Sequence, residues 1–321
     1  MSERIIALLN EDMKGEHQAI IQYLYHAYLS GDEELACEIE AIAREEMRHY
    51  DWLADAITEL VGDPTVERAE VDFDSAPLQE QLLKNAALEQ MAVDQYRAHM
   101  EEIQDESLRR LLARIVHDEV VHKGQFESLA ETVAAQAASG EAEAGEAATE
   151  EGKPPERLAE ILNEGVRHEY SVILQYLYHS FVTPDKEIME HMQNIAINEM
   201  QHLGWLAEEL AEKGGDPDMS HGDLVLTRDH EEMLEADRKV EQEVTRAYSE
   251  QIPEIADQEV RELVERIRDH EIYHDAVFEE LLEEVTEEEA EQRVEEPDQP
   301  DEDASEEPPA RPIPSVGSLK E

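Results

Sequence analysis

Glu46/His49, Glu119/His122, Glu199/His202 and Glu271/His274 are four copies of the tetrad Glu-x-x-His. Residues three apart on a helix share a face, so each tetrad aims one carboxylate and one imidazole at the same point. A mixed oxygen and nitrogen donor set of this kind suits a divalent transition metal. Each tetrad also stands in a helical run where the period calls for an apolar residue, a costly position unless the charge is used.

The runs that carry the tetrads have the three-four spacing of a bundle seam. The first helix of the chain reads Ile6, Leu9, Met13, Glu16, Ile20, Tyr23, and the second reads Leu35, Ile39, Ile42, Glu46, His49, Leu53. The third has Leu82, Asn85, Glu89, Ala92, Tyr96, His99, and the fourth Leu112, Ile115, Glu119, His122, Phe126. These are core-facing positions, so four carboxylates and two imidazoles meet at mid-bundle. An unpaired buried carboxylate costs several kcal/mol even after relaxation, against a domain stability of about 5–15 kcal/mol. No Lys or Arg stands on the seam near the centre. Two divalent cations cancel four carboxylates with both imidazoles neutral, which favours a two-metal site; protonated carboxyls, their pKa raised by burial, are the alternative.

The chain is a tandem duplication. Gln22-Tyr23-Leu24-Tyr25-His26 recurs as Gln175-Tyr176-Leu177-Tyr178-His179, an offset of 153 that holds through Glu46, His49 and Trp52 to Gly62-Asp63-Pro64. Beyond that one residue is lost, and at offset 152 Glu89, Tyr96, Glu119 and His122 map onto Glu241, Tyr248, Glu271 and His274. With Glu169, Glu199 and His202, the second copy repeats all six seam intruders.

The expected fold is all-α, two tandem four-helix bundles, with helices over 3–29, 31–61, 77–103 and 106–135, then 155–182, 184–213, 229–251 and 258–286. The bundles occupy residues 1–136 and 154–286. An Ala/Gly/Glu-rich linker over 137–153 and an acidic, Pro-rich tail over 287–321 read as disordered. Ser30 with Glu33 reads as a capping box, Pro184 as a first helical residue, and Asp105 and Asp257 as caps of the last helices. About 15 residues separate helices two and three of each copy, a crossover long enough to make those helices parallel.

Composition bounds what such a protein touches. The 321 residues carry 82 acidic against 26 basic side chains, a net charge of −56, which repels nucleic acid and anionic lipid. An acidic surface spread over the whole chain reads first as an adaptation to high salt, as in a halophilic organism. With no long apolar run and no leader pattern, the chain reads as cytoplasmic. The lone Cys37 excludes an intrachain disulfide and a four-cysteine metal site, and a core thiol is its expected role.

The pattern of one Glu from each of two helices and Glu-x-x-His from each of the other two resembles the ferritin-like di-iron carboxylate family. The likeness covers both repeats and is nearest to bacterioferritin, through Glu16, Tyr23 and His26, the run Glu46-Met47-Arg48-His49, and the Gly-x-Pro of the crossover. The tandem fusion is not the family's usual arrangement. The resemblance implies that Glu46 and Glu119 bridge two metals, that Glu16 and Glu89 are terminal carboxylates, and that His49 and His122 give one nitrogen each. The same roles pass to Glu199 and Glu271, Glu169 and Glu241, and His202 and His274. Iron is the metal implied first and manganese second, in two di-metal centres.

The residue before each bridging Glu can, in the family, hydrogen-bond a ligand His. Glu45 and Asp118 stand there in the first copy, but Asn198 and His270 in the second, so the two centres are expected to differ. Tyr23 and Tyr176 have two readings, a partner of a ligand carboxylate or electron donor, and a core aromatic. Tyr96 and Tyr248 read as core, and His26 and His179 as packing. Met47 and Met200 match the haem methionine of bacterioferritin and would clamp one haem b on a pseudo-twofold axis, but methionines filling an interdomain contact are the plainer reading.

The activity implied is oxidation of Fe(II) by dioxygen or hydrogen peroxide, in iron handling or protection from oxidative stress. A rubrerythrin-like peroxide reductase fed by an external electron donor, a di-iron oxygenase and a manganese catalase-like enzyme share the fold. A metal-binding bundle acting as an interaction scaffold is the non-enzymatic alternative, and a homo-oligomer is compatible with all of them.

Overall fold

A computed structural model describes residues 2–74, 76–139 and 154–295, with side chains to residue 287. The expected linker beyond Ser139 and the expected tail beyond Glu295 lie outside the described residues. The first repeat contains α1 (Ser2–Leu29), α2 (Glu33–Glu59), α3 (Leu78–Glu102) and α4 (Glu106–Ser139). The second contains α5 (Glu156–Val182), α6 (Lys186–Glu212), α7 (His230–Gln251) with a 3-10 turn at Ile252–Glu254, and α8 (Gln258–Glu295). There is no strand among the described residues, and no helix of theirs is long and apolar enough to cross a membrane.

Helix starts follow from side-chain caps. Asp32 accepts from the backbone N–H of Glu34 and Leu35, and Asp185 from those of Glu187 and Ile188. This corrects the two expected starts: Ser30 is outside the helix, and Pro184 precedes the cap because the following aspartate has the better acceptor for the free amides. Asp105 and Asp257 cap α4 and α8 as expected, accepting from Leu108 and Val260 among others. Helices α4 and α8 run several residues past their expected ends. At the end of α2, Val61 adopts φ 60° where the second repeat has Gly214 at φ 72°, a left-handed conformation that strains a β-branched residue.

Helices α1 and α2 form one hairpin and α3 and α4 another. Arg4 at the start of α1 pairs with Glu102 at the end of α3, and Gln22 reaches back to Asn85. So α1 and α3 are antiparallel, and the crossover makes α2 and α3 parallel. The second repeat is built the same way, with Arg157 pairing with Glu254.

The bundles pack through α1 against α6 and α2 against α5, about a pseudo-twofold axis. Equivalent residues His17 and Tyr170 meet across it, Tyr170 Oη lying 2.6 Å from His17 Nε2. Burial keeps His17 neutral, lowering its pKa to about 3. Tyr25 donates to Asp216 at 2.5 Å and its equivalent Tyr178 to Asp63 at 3.5 Å. One apolar cluster, including Tyr25, Tyr50, Tyr178 and Phe181, runs from one bundle into the other. Cys37 is exposed, not a core thiol: Leu35 and Ile39 hold the core face of α2, and a residue midway between them points outward.

Candidate metal centres

Glu16 on α1, Glu46 and His49 on α2, Glu89 on α3, and Glu119 and His122 on α4 converge at the middle of the first bundle, each no more than 3% exposed. Their donor atoms form two overlapping groups. One is Glu16, Glu46, His49 and Glu119, the other Glu46, Glu89, Glu119 and His122, and within each group the atoms lie within 4.8 Å of one another. Glu46 and Glu119 belong to both. The second bundle repeats the arrangement with Glu169, Glu199, His202 and Glu271, and with Glu199, Glu241, Glu271 and His274.

Both imidazoles of the first bundle turn Nδ1 inward. His49 Nδ1 lies 2.8 Å from Glu46 and 3.0 Å from Glu119; His122 Nδ1 lies 2.8 Å from Glu46 and 3.4 Å from Glu119. In the second bundle His202 Nδ1 is 2.6 Å from Glu199 and His274 Nδ1 is 2.7 Å from it. Several of these close approaches lack hydrogen-bond alignment. Both oxygens of Glu46, His49 Nδ1 and Glu119 Oε1 are buried without a partner, as are Glu169 Oε2, Glu199 Oε1, Glu241 Oε2, Glu271 Oε1 and His274 Nδ1. Buried polar atoms are rarely left so, and a buried set of eight carboxylates and four imidazoles, several of their inward atoms unpaired, fits divalent cations that accept both oxygen and nitrogen donors, such as iron or manganese.

Protons balance the charge when cations do not. Burial would lower the His49 imidazole, but the carboxylates of Glu119, Glu16 and Glu46 close around it raise it far above its ordinary value. His122 is raised to about 11, against its own burial, by Glu119 and Glu46. Burial, then the charge of Glu119, pushes the Glu16 carboxyl up; burial, then Glu46, does the same to Glu89. Glu119, despite burial, falls to about 2 because His122 and His49 hold it ionised. In the second bundle His202 rises to about 12 and His274 to about 9. Glu241 is raised by burial and by Glu271.

Each carboxylate that belongs to only one donor group is held by a tyrosine from another helix. Tyr23 donates to Glu89 and Tyr176 to Glu241, both at 2.5 Å. Tyr96 donates to Glu16, and Tyr248 to Glu169. Tyr96 and Tyr248, expected only as core, are therefore partners of the cluster: they are fully buried, but their hydroxyls reach across from α3 to α1 and from α7 to α5. The pattern marks such residues as inward-facing and gives no sign of where the hydroxyl ends. His26 and His179 stay outside the cluster, Nδ1 lying 3.0 Å from Asn85 and from Asp237. Met47 and Met200 are partly buried against the apolar cluster that spans the interface.

The outer imidazole nitrogens differ between copies. His122 Nε2 lies 2.8 Å from Glu45, and His49 Nε2 is 3.6 Å from Asp118. In the second bundle His202 Nε2 meets His270 Nδ1 at 2.9 Å, while Asn198 donates back to Asn194 O of its own helix. His270 is itself lowered, by burial and by His202 and His274, so a neutral ring stands where the first bundle has a carboxylate.

The sequence profile of the ferritin-like domain matches residues 6–135 and again 159–288. The chain belongs to the ferritin-like domain family. Among its ferritin-like relatives, the bacterioferritins of Mycolicibacterium paratuberculosis and Mycobacterium tuberculosis are 32% identical over 130 residues, covering 39% of this chain and 82% of theirs. The bacterioferritin of Desulfovibrio desulfuricans is 31% identical over 138 residues, covering 39% of this chain and 74% of its own. A solved structure of the M. tuberculosis bacterioferritin matches at 30% identity, covering 40% of this chain and 85% of that one, with a TM-score of 0.38. Each match spans one ferritin-like bundle's worth of this two-bundle chain.

Proposed function

We propose that each bundle takes up a pair of Fe(II) ions as substrate and oxidises them with dioxygen or hydrogen peroxide. The observation that carries the proposal is the sharing of Glu46 and Glu119, and of Glu199 and Glu271, between two four-residue donor groups. Two ion positions with two carboxylates in common hold the ions close enough to deliver two electrons to one oxidant. Glu46 and Glu119 then bridge, Glu16 and His49 complete one position, and Glu89 and His122 complete the other. In the second bundle Glu199 and Glu271 bridge, with Glu169 and His202 at one position and Glu241 and His274 at the other.

Residues around the ligands prepare this set. Tyr96 and Tyr23 each occupy one oxygen of a terminal carboxylate, fixing its rotation and leaving the other oxygen for an ion. Glu45 accepts from the outer nitrogen of His122 and makes that imidazole a better donor. Iron bound here supplies the redox chemistry. The similarity to bacterioferritins supports iron as the substrate; haem has no part in the proposal, since no other observation marks Met47 and Met200 as its ligands.

The proposal is tested by adding Fe(II) anaerobically and then oxygen or peroxide. Absorption of ferric iron should rise in the near ultraviolet at about two irons per bundle, the count set by the di-metal arrangement. Retention of Mn(II) with no Fe(II) oxidation would overturn it in favour of a manganese enzyme.

A further inference from the structure

All six cluster positions are duplicated, but the side chains outside Glu16 and Glu169 are not. In the first bundle Asp12, Gln95 and His99 fill the space between α1 and α3. Gln95 Nε2 donates to Asp12 at 2.9 Å, and His99 Nδ1 lies 3.0 Å from it. The second bundle has Gly165, Ala247 and Gln251 at these positions. There, between α5 and α7, is a cavity of about 360 Å³, lined by those three and by Tyr248. Tyr248 also donates to Glu169, so one side chain touches both the cavity and the metal cluster. A Cβ on Gly165 would lie 2.8 Å from Leu206 and 3.0 Å from the Tyr248 hydroxyl, so the glycine keeps this arrangement possible.

The cavity's unused hydrogen-bonding capacity identifies its occupant. Gln251 is 8% exposed; its Nε2 donates to Glu164 at 2.5 Å, and its Oε1 is buried without a partner. Beside it stand the carboxylates of Glu164, Asp223 and Glu243 and the imidazole of His168, and neither Lys nor Arg lines the cavity. Ser171 donates to Arg167 O, Gln175 to Asp237 and Tyr248 to Glu169, so these hydroxyl and amide donors are already committed. A space offering acceptors and negative charge suits a cation whose hydration shell donates on every side, and the volume accommodates that shell.

We propose that this cavity captures hydrated Fe(II) and loads the second centre, a route that the first bundle lacks. The proposal rests on the di-iron reading above. Clefts lined by one sign of charge raise the local concentration and the arrival rate of counter-ions by tenfold or more, so the duplicated centres would fill at different rates.

The test uses Co(II), followed anaerobically by its visible absorption in the full-length apo protein. The second centre is isolated by Glu46→Ala with Glu119→Ala, and the first by Glu199→Ala with Glu271→Ala. The second should load about tenfold faster than the first. Ala247→Phe, which fills the cavity, should bring its rate down to that of the first while leaving the Co(II) bound at equilibrium unchanged. Gln251→Leu, which removes the amide oxygen that faces the cavity, should slow loading without affecting the first bundle. Equal rates at the two centres, or an undiminished second-centre rate in Ala247→Phe with full equilibrium binding, would overturn the cavity proposal alone. No Co(II) bound at equilibrium at either centre would overturn the di-metal reading and this proposal together.

Discussion

Loading the first centre with two divalent ions should expel protons. Without cations, His49 and His122 are held as imidazolium and Glu16 and Glu89 are pushed toward the neutral carboxyl, while Glu119 stays ionised. With two cations the imidazoles must bind through Nδ1 and the carboxyls through oxygen, so as many as four protons leave. Each released proton strengthens binding by about 1.4 kcal/mol per pH unit. Two imidazolium protons give about 2.7 kcal/mol per unit and four about 5.5 for the ion pair. The perturbation is a titration of Co(II) into the anaerobic chain carrying Glu199→Ala and Glu271→Ala, near pH 7. A pH indicator in weak buffer counts the protons, and calorimetry in two buffers of different ionisation enthalpy checks the count. Between two and about four protons per two ions are expected. Tight binding of two ions with no proton release would refute the charge balance described for the cluster.

The metal-free protein should lose stability as pH rises. The folded pKa values of Glu16, Glu89, Glu241, His122 and His274 are raised, so the folded state binds more protons than the unfolded one. The imidazole contribution is complete below the ordinary histidine range and is lost as pH passes about 9 for His274 and about 11 for His122; thermal melts with chelator from pH 6 upward should show a falling Tm, and a rising one would contradict it. At neutral pH chelation alone should lower the Tm, because bound cations stabilise the folded state by mass action. Replacing the neutral ring behind His202 with a carboxylate, His270→Asp, should tighten metal binding at the second centre about tenfold, and equilibrium competition with a chelator would reveal an absence of effect. Val61→Gly should relieve the left-handed strain at the end of α2 and stabilise the chain by about 1 kcal/mol, measured by denaturant unfolding; a lower midpoint would show that the backbone there is not strained.

The seam and its intruders were legible because helical period and buried charge conflict at the same six positions in both copies, a conflict that surface residues do not produce. The duplication made the helix pairing legible too. What the sequence left hidden depends on contacts between helices. Tyr96 and Tyr248 occupy ordinary inward positions, and only the antiparallel approach of α3 to α1 and α7 to α5 carries their hydroxyls to Glu16 and Glu169. The meeting of His17 with Tyr170 depends on two bundles facing each other, which a linear repeat does not reveal. At Cys37 two signals conflict: thiols in general prefer burial, but the helical period places a residue between the seam positions Leu35 and Ile39 on the outer face, and the period prevails. Caps shifted by one or two residues where several acceptors compete near a helix start.

The direct test of the paired centres is the metal content of the anaerobically Fe(II)-loaded chain and of its Glu46→Ala variant, after removal of loosely bound ions. About four irons per chain are expected for the parent, two for each di-metal group, falling to about two in the variant because a shared carboxylate serves both ions of the first centre. A variant that keeps the parent's iron content, or loses only one ion, would contradict the assignment of Glu46 as the bridge between two metals.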